Sequence, residues 1–288
     1  MYPAKFDYYR AGSVQEAISL LQKYEDAKVL AGGHSLIPAM KLRLSQPAVL
    51  VDIGRIAELK GISLHNDQIR MGALTPHTTL AASEILNQHC AVVAEAAGQV
   101  GDQQVRNKGT IGGNLAHADP ASDLPAAVMA AGGVIHAVGP NGPRQIKASQ
   151  FFVDLLTTAL QPDEILTAVE VSPLGANSGS AYLKFENPAS GYAICGAAAV
   201  VRLNSAGVCA GASLCLNGVT ATALDAGAVA AALVGQALDD AAIDQAVEAN
   251  LSIVEPMSDL HASGPYRVAL AKVYGKRALK LARDRAKG

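Results

Sequence analysis

LAGGHSLIPAMKLRL, residues Leu30 to Leu44, leaves an apolar run, sets two adjacent glycines before a histidine and a serine, and resumes with an apolar segment carrying two cations. A backbone approaches a phosphate closely only where side chains are missing, and glycine reaches the positive φ that aims successive N–H groups at one anion. Gly32 and Gly33 offer such a concave donor set, with the Ser35 hydroxyl beside it. A helix from Leu36 to Leu44 would add the attraction of its N-terminal dipole. Further along, TIGGN from Thr110 to Asn114 repeats the device. Two such turns, if they converge, grip the two phosphates of a dinucleotide from opposite sides. A tight turn is the commoner explanation of a lone Gly-Gly; with two such loops the residues by themselves leave both readings open.

Other anion and metal chemistries lack their patterns. No G-x-G-x-x-G follows a strand and no G-x-x-x-x-G-K-[ST] occurs, which removes the common dinucleotide and nucleotide loops. Neither G-x-S-x-G nor H-E-x-x-H is present. The seven histidines are scattered; only His117 and Asp119 pair two ligand types, without a third. Cys90, Cys195, Cys209 and Cys215 form no C-x-x-C, and an iron-sulfur cluster needs about four thiolates at close spacing. The even separation of Cys209 and Cys215 on one expected strand puts both on the same side, as small core residues.

The balance of 23 basic against 25 acidic residues, net −2, recruits neither nucleic acid nor an anionic membrane, so any anion must be held locally. No apolar run reaches the roughly 18 residues of a membrane span. The opening MYPAKFDYYR lacks a hydrophobic leader region, and the expected location is the cytoplasm.

Periodicity supplies the frame. Ser13 to Glu16 has the form of a capping box, with a first helix expected to about Asp26. Strands are expected at Lys28 to Ala31, Ala48 to Ile53 and Gln68 to Ala73, then helices from Thr75-Pro76 to Leu86 and from Cys90 to Val100. Residues 102 to 132 mix charge, glycine and proline and read as a functional loop feeding a helix at Leu124. Strands Gly133 to Val138 and Glu164 to Val171 flank a helical stretch, Ser149 to Leu156. SPLGANSGS, from Ser172 to Ser180, reads as a linker, with a domain boundary near residue 176. Beyond it, strands Tyr182 to Glu186, Gly196 to Leu203 and Val208 to Leu216 precede helices at Ala221 to Leu233, Asp240 to Leu251 and Pro265 to Lys287. The fold class is α+β, with the second domain a small antiparallel sheet backed by helices.

AGGHSLIPAMKLRL, TIGGNLAHADPASDLPA and the opening FDYYRAGSVQEAISLL together resemble the medium, FAD-binding subunit of the molybdenum hydroxylases, in the carbon monoxide dehydrogenase branch of the xanthine dehydrogenase family. The resemblance spans nearly the whole chain. It implies a two-subdomain FAD-binding fold similar to the vanillyl-alcohol-oxidase (PCMH-type) superfamily over residues 1–176, divided near residue 55, and a C-terminal flavoprotein domain over 177–288. It implies a first diphosphate loop of Ala31, Gly32, Gly33, His34, Ser35 and Leu36, and a second of Thr110, Ile111, Gly112, Gly113 and Asn114. Asp123 matches an acidic position used toward the nucleotide part, and Leu160 an apolar residue near the ring system. Lys184 matches a lysine close to the flavin, and Tyr192 an aromatic lying over the isoalloxazine.

The resemblance also implies the division of labour. A large subunit carries the molybdenum cofactor, a small one carries two iron-sulfur clusters, and the FAD on this chain passes electrons to an external acceptor, in a dimer of heterotrimers. No catalytic acid or base and no metal ligand is assigned here. Two alternatives are a self-sufficient flavin oxidase, with His34 as a covalent attachment point, and a non-catalytic nucleotide-binding subunit.

Overall fold

Ser13 caps the first helix. In the computed structural model, which describes residues 1–288, its hydroxyl accepts from the Glu16 N–H (3.1 Å) and the Glu16 carboxylate accepts from the Gly12 N–H (2.7 Å). Helix α1 (Val14–Lys23) buries Val14, Ala17, Ile18 and Leu21 on a parallel sheet of β1 (Asp7–Arg10), β2 (Ala27–Leu30) and β3 (Val49–Asp52), in the order β1-β3-β2. Tyr24 turns extended and ends α1 before Asp26. Helix α2 (Leu36–Lys41) links β2 to β3 and stops short of Leu44, where Arg43 adopts φ 58°.

The next sheet has five strands. Its strand β4 (Ile62–His65), absent from the sequence expectation, pairs with β5 (Gln68–Gly72) through Asn66 and Asp67. Both turn residues have positive φ (49° and 58°), the two-residue turn whose twist matches paired strands. Where one helix was expected to Leu86, two form, α3 (His77–Ala81) and α4 (Glu84–His89), because the Ser83 hydroxyl accepts from the Leu86 N–H and starts a new one. Helix α5 (Ala91–Gly98) follows.

The expected loop from residue 102 instead carries two short helices, α6 (Gln103–Lys108) and α7 (Ile111–His117), and the helix expected at Leu124 forms as α8 (Asp123–Ala130). Its polar residues are helix caps: Asp102 accepts from the Val105 N–H and Thr110 from the Gly113 N–H. Strands β6 (Val134–Gly139) and β7 (Gly142–Lys147) come next. The helix expected over Ser149 to Leu156 is one 3₁₀ turn and a small hairpin, β8 (Phe152–Asp154) and β9 (Thr157–Thr158), with buried Phe151 anchoring it to the core. Strand β10 (Ile165–Val171) completes the sheet, in the order β4-β5-β10-β6-β7.

After residues 172–177, which carry no helix or strand, an antiparallel sheet runs β11 (Ser178–Glu186), β12 (Ala193–Leu203), β13 (Cys209–Asn217), β14 (Leu224–Asp225). β14 occupies the start of the helix expected from Ala221, so α9 (Gly227–Leu233) is shorter. Helices α10 (Asp240–Asn250) and α11 (Gly264–Lys287) finish the chain.

This sheet faces two cores. Tyr182, Ala198, Val200 and Cys215 join the 29-residue core of the preceding helices and sheet; Ala197, Ala199, Leu214 and Leu216 join the 26-residue core under α9 to α11. Cys209 and Cys215 therefore point to opposite sides, against expectation. A bulge lies between the pairs Arg202–Gly211 and Leu203–Cys209, and one extra residue reverses the two-residue alternation. All four cysteines are free and buried. No helix is long and apolar enough to cross a membrane.

Candidate functional site

The first glycine stretch leaves β2 at the carboxyl end of the parallel sheet, the end where ligand sites open in such sheets. Gly33 sits at φ 75°, a conformation that strains any residue with a Cβ. None of the N–H groups of Gly32, Gly33, His34, Ser35 or Leu36 meets an acceptor within the chain. The His34 ring donates from Nδ1 to the Gly32 carbonyl (3.0 Å), which folds the loop on itself. The result is a row of main-chain donors with no acceptor in the protein, suited to an anion.

The second stretch differs from its expected form. Rather than a free turn, Gly112 and Gly113 lie in the first turn of α7, and its amides are engaged by protein. Gly112 N–H donates to the Ala73 carbonyl (2.8 Å), Ile111 N–H to Thr75 (3.1 Å) and Asn114 N–H to Thr110 (2.9 Å). Gly113 N–H holds the longest bond, 3.2 Å to Thr110 Oγ1. A Cβ on Gly112 would stand 2.6 Å from Ala73 Cβ, so that glycine serves packing against the sheet. Gly113 and Asn114 stay half-exposed and form the open part of the motif.

The two stretches meet. A Cβ on Gly32 would overlap the Lys108 carbonyl oxygen and stand 2.9 Å from Gly109 Cα; one on Gly113 would come 3.7 Å from Ala31 Cβ. Sequence reasoning stopped at Thr110 and missed Gly109, together with the residue behind it. His77 is 2% exposed, donates its N–H to the Gly109 carbonyl (3.0 Å), and its ring would lie 2.9 Å from a Cβ on Gly109. Burial, then Arg106 and His34, push its pKa down to about 4, so the ring is neutral. The one signal was a histidine directly after Thr75-Pro76, at the start of a helical pattern.

Asp123, in the first turn of α8, is 3% exposed and joins the two halves of the chain. The Tyr182 hydroxyl donates to its Oδ1 (2.6 Å) and lies 3.1 Å from the Asn217 side-chain amide. Lys184 Nζ approaches Asp123 Oδ1 to 3.1 Å and donates to the carbonyls of Gln99 (2.5 Å) and Gly191 (2.7 Å). The three protons of this ammonium thus have three partners inside the protein. On a strand it would ordinarily be solvated; here its side chain is 1% exposed. Burial raises the Asp123 pKa to about 6, with Lys184 and Tyr182 opposing the shift.

Tyr192 follows Gly191 in the turn between β11 and β12, 45% exposed. Partial burial, then Asp119 and Asp123, raise its phenol pKa. Leu160, half-buried, packs on the large core after β9, and β9 lies against α7. The structure therefore joins the two glycine stretches directly, and Asp123, Lys184 and the Tyr192 turn into a second cluster. His117 and Asp119 approach only to 4.0 Å.

Comparison with known proteins identifies the family. A family described as the FAD binding domain in molybdopterin dehydrogenase matches residues 4–173, and one described as the CO dehydrogenase flavoprotein C-terminal domain matches residues 180–282. The chain is 40% identical to the carbon monoxide dehydrogenase medium chain of Afipia carboxidovorans over the full length of both. It is 35% identical to the 6-hydroxypseudooxynicotine dehydrogenase complex subunit alpha of Paenarthrobacter nicotinovorans, covering 100% of this chain and 97% of that one. Among solved structures, the carbon monoxide dehydrogenase of Hydrogenophaga pseudoflava lacking the Mo-pyranopterin moiety superimposes with a TM-score of 0.95 at 40% identity, over 99% of each chain. Quinoline 2-oxidoreductase of Pseudomonas putida 86 gives 0.93 at 30% identity over all of both.

Proposed function

This chain belongs to the family of FAD-binding medium subunits of molybdenum hydroxylases, and from that premise we propose how its residues serve electron transfer in such a complex. Electrons arrive from iron-sulfur clusters on a small partner subunit and leave to an external acceptor, while a large partner subunit holds the molybdenum cofactor and the substrate. The assembly is a dimer of heterotrimers in the cytoplasm, a compartment that suits four free thiols. The chain divides near residue 176 into the FAD-binding and C-terminal domains.

The observation that carries this reading is the row of unpaired N–H groups from Gly32 to Leu36, closed on its far side by Gly109 and Gly113. A chain of net charge −2 holds a diphosphate here with fixed backbone dipoles, and hydrogen bonds to a charged acceptor are about twice as strong as neutral ones. Ala31 to Leu36 form the donor arm; Thr110 to Asn114 form the opposing wall, contributing Thr110 Oγ1 and the half-exposed Gly113 and Asn114. Leu160 lines the ring system and Tyr192 covers the isoalloxazine. Asp123 and Lys184 frame that end of the site, Lys184 by fixing Gly191 next to Tyr192.

Bound FAD supplies the redox chemistry, and the protein supplies binding, orientation and electrostatics. The donor arm fixes the diphosphate, the neutral His77 ring behind Gly109 keeps the joint dry, and the Tyr192 ring shields one flavin face from water. No proton transfer by a side chain is required of this chain.

Acid precipitation of the assembled complex tests the reading. FAD, not FMN, is expected in the supernatant in one equivalent per medium subunit, with none in the pellet. His34 already directs Nδ1 to its own loop, which suits non-covalent binding; flavin retained in the pellet would point to covalent attachment and to the oxidase alternative. A colourless complex with all three subunits at full occupancy would defeat the proposal outright.

A further inference from the structure

The turn that carries Tyr192 is tied from two sides. Lys184 holds the Gly191 carbonyl. On the opposite side, Asn187 Nδ2 lies 3.0 Å from His261 Nδ1, a contact between residues of which neither stands in a glycine motif. Asn187 is the knot of the turn: its N–H donates to the Tyr192 carbonyl (2.8 Å), and its own carbonyl accepts from Gly191 (2.8 Å) and Ser190 (3.3 Å).

The direction of the contact follows from chemistry. Asn187 Oδ1 accepts from the Ala189 N–H (2.9 Å), which fixes the amide so that Nδ2 faces the imidazole. An amide nitrogen only donates, so His261 Nδ1 is the acceptor and the ring proton sits on Nε2. The segment bearing His261 is itself anchored. Asp259 Oδ1 accepts from the N–H groups of His261 (2.8 Å) and Ala262 (3.0 Å), its Oδ2 accepts from Arg267 (2.6 Å), and the Met257 N–H donates to the Val219 carbonyl (2.8 Å).

We propose that His261, acting through Asn187, is a positioning residue for the flavin: it sets the orientation of the Tyr192 turn and so the fit of the tyrosine ring over the isoalloxazine. This rests on the placement of Tyr192 proposed above. Arg267, buried at 2% exposure and bonded to the carbonyls of Ile194 and Gly218 (2.7 and 2.6 Å), gives the latch a rigid base in α11. The exposed His261 ring adds nothing to a core, so its substitution leaves the fold intact.

The test uses the FAD-loaded complex and reads the visible circular dichroism of the flavin, taken as loaded minus flavin-free protein. Tyr192→Ala is expected to change its amplitude at least twofold. His261→Phe keeps a ring and removes the acceptor, and is expected to shift the signal in the same direction by at least half as much. His261→Asn, whose Oδ1 stands where the ring Nδ1 does and can accept the same bond, is expected to restore the wild-type spectrum. If Tyr192→Ala changes the signal and His261→Phe does not, or if His261→Asn behaves as His261→Phe, the latch is wrong while the placement of Tyr192 stands. If Tyr192→Ala changes nothing, that placement fails and takes the latch with it.

Discussion

Gly32→Ala is expected to yield a folded, assembled complex whose affinity for FAD has dropped at least a hundredfold, about 3 kcal/mol. The new Cβ would overlap the Lys108 carbonyl oxygen and press on Gly109 Cα. Neither can retreat: Gly109 N–H is bound to the Val105 carbonyl (2.7 Å), and the Gly109 carbonyl takes the His77 N–H (3.0 Å). The donor arm must move instead, and hydrogen bonds to a diphosphate weaken steeply once distance and angle leave their narrow range. Gly175→Ala, with nothing within 4 Å of the added carbon, serves as the silent control. Titrating flavin-free complex with FAD reads the result, and near-normal affinity for Gly32→Ala would mean that the junction does not shape the site.

Lys184→Met is expected to destabilise the chain by roughly 3–5 kcal/mol at pH 8, the usual consequence of leaving a buried charge without its partner. The sign of the pH dependence is fixed by Asp123. Burial already raises its pKa to about 6 from 3.8, against the pull of Lys184; without the ammonium it rises further. A carboxyl whose folded pKa exceeds its unfolded one is penalised above the folded value, and the penalty fades as pH falls through that value toward the unfolded one. The deficit of the variant relative to wild type should therefore be greatest at pH 8 and smaller at pH 5. Thermal unfolding midpoints of both proteins across that range settle it, and a deficit that grows on acidification would refute the assignment.

Much of this architecture is legible in the residues, and what is not has identifiable causes. Apolar runs buried on both faces mark β10 and β12, and the serine before α1 marks its start. Short helices such as α6 and α7 escape because their capping residues, Asp102 and Thr110, and their glycines carry the composition of a loop. The pairing of Cys209 with one core and Cys215 with the other escapes because one bulged residue alters the parity of a strand. At the site, the glycine pairs announce themselves, but their division of labour does not. Only packing distinguishes Gly112, pressed on Ala73, from Gly33, whose positive φ shapes the donor arm. Lys184 shows the same limit. A lysine on a strand reads as solvated until its three acceptors, drawn from distant segments, converge around it.

The cradle's arms are rooted in separate bodies. One grows from the 12-residue core around β1 to β3, the other from the 29-residue core beneath α5 and α8. A dinucleotide bound between them, as proposed, would work as mortar: its binding free energy would be added to the adhesion of the two bodies, in proportion to the logarithm of free flavin. Vitamin supply thereby becomes a term in the folding equilibrium of the subunit.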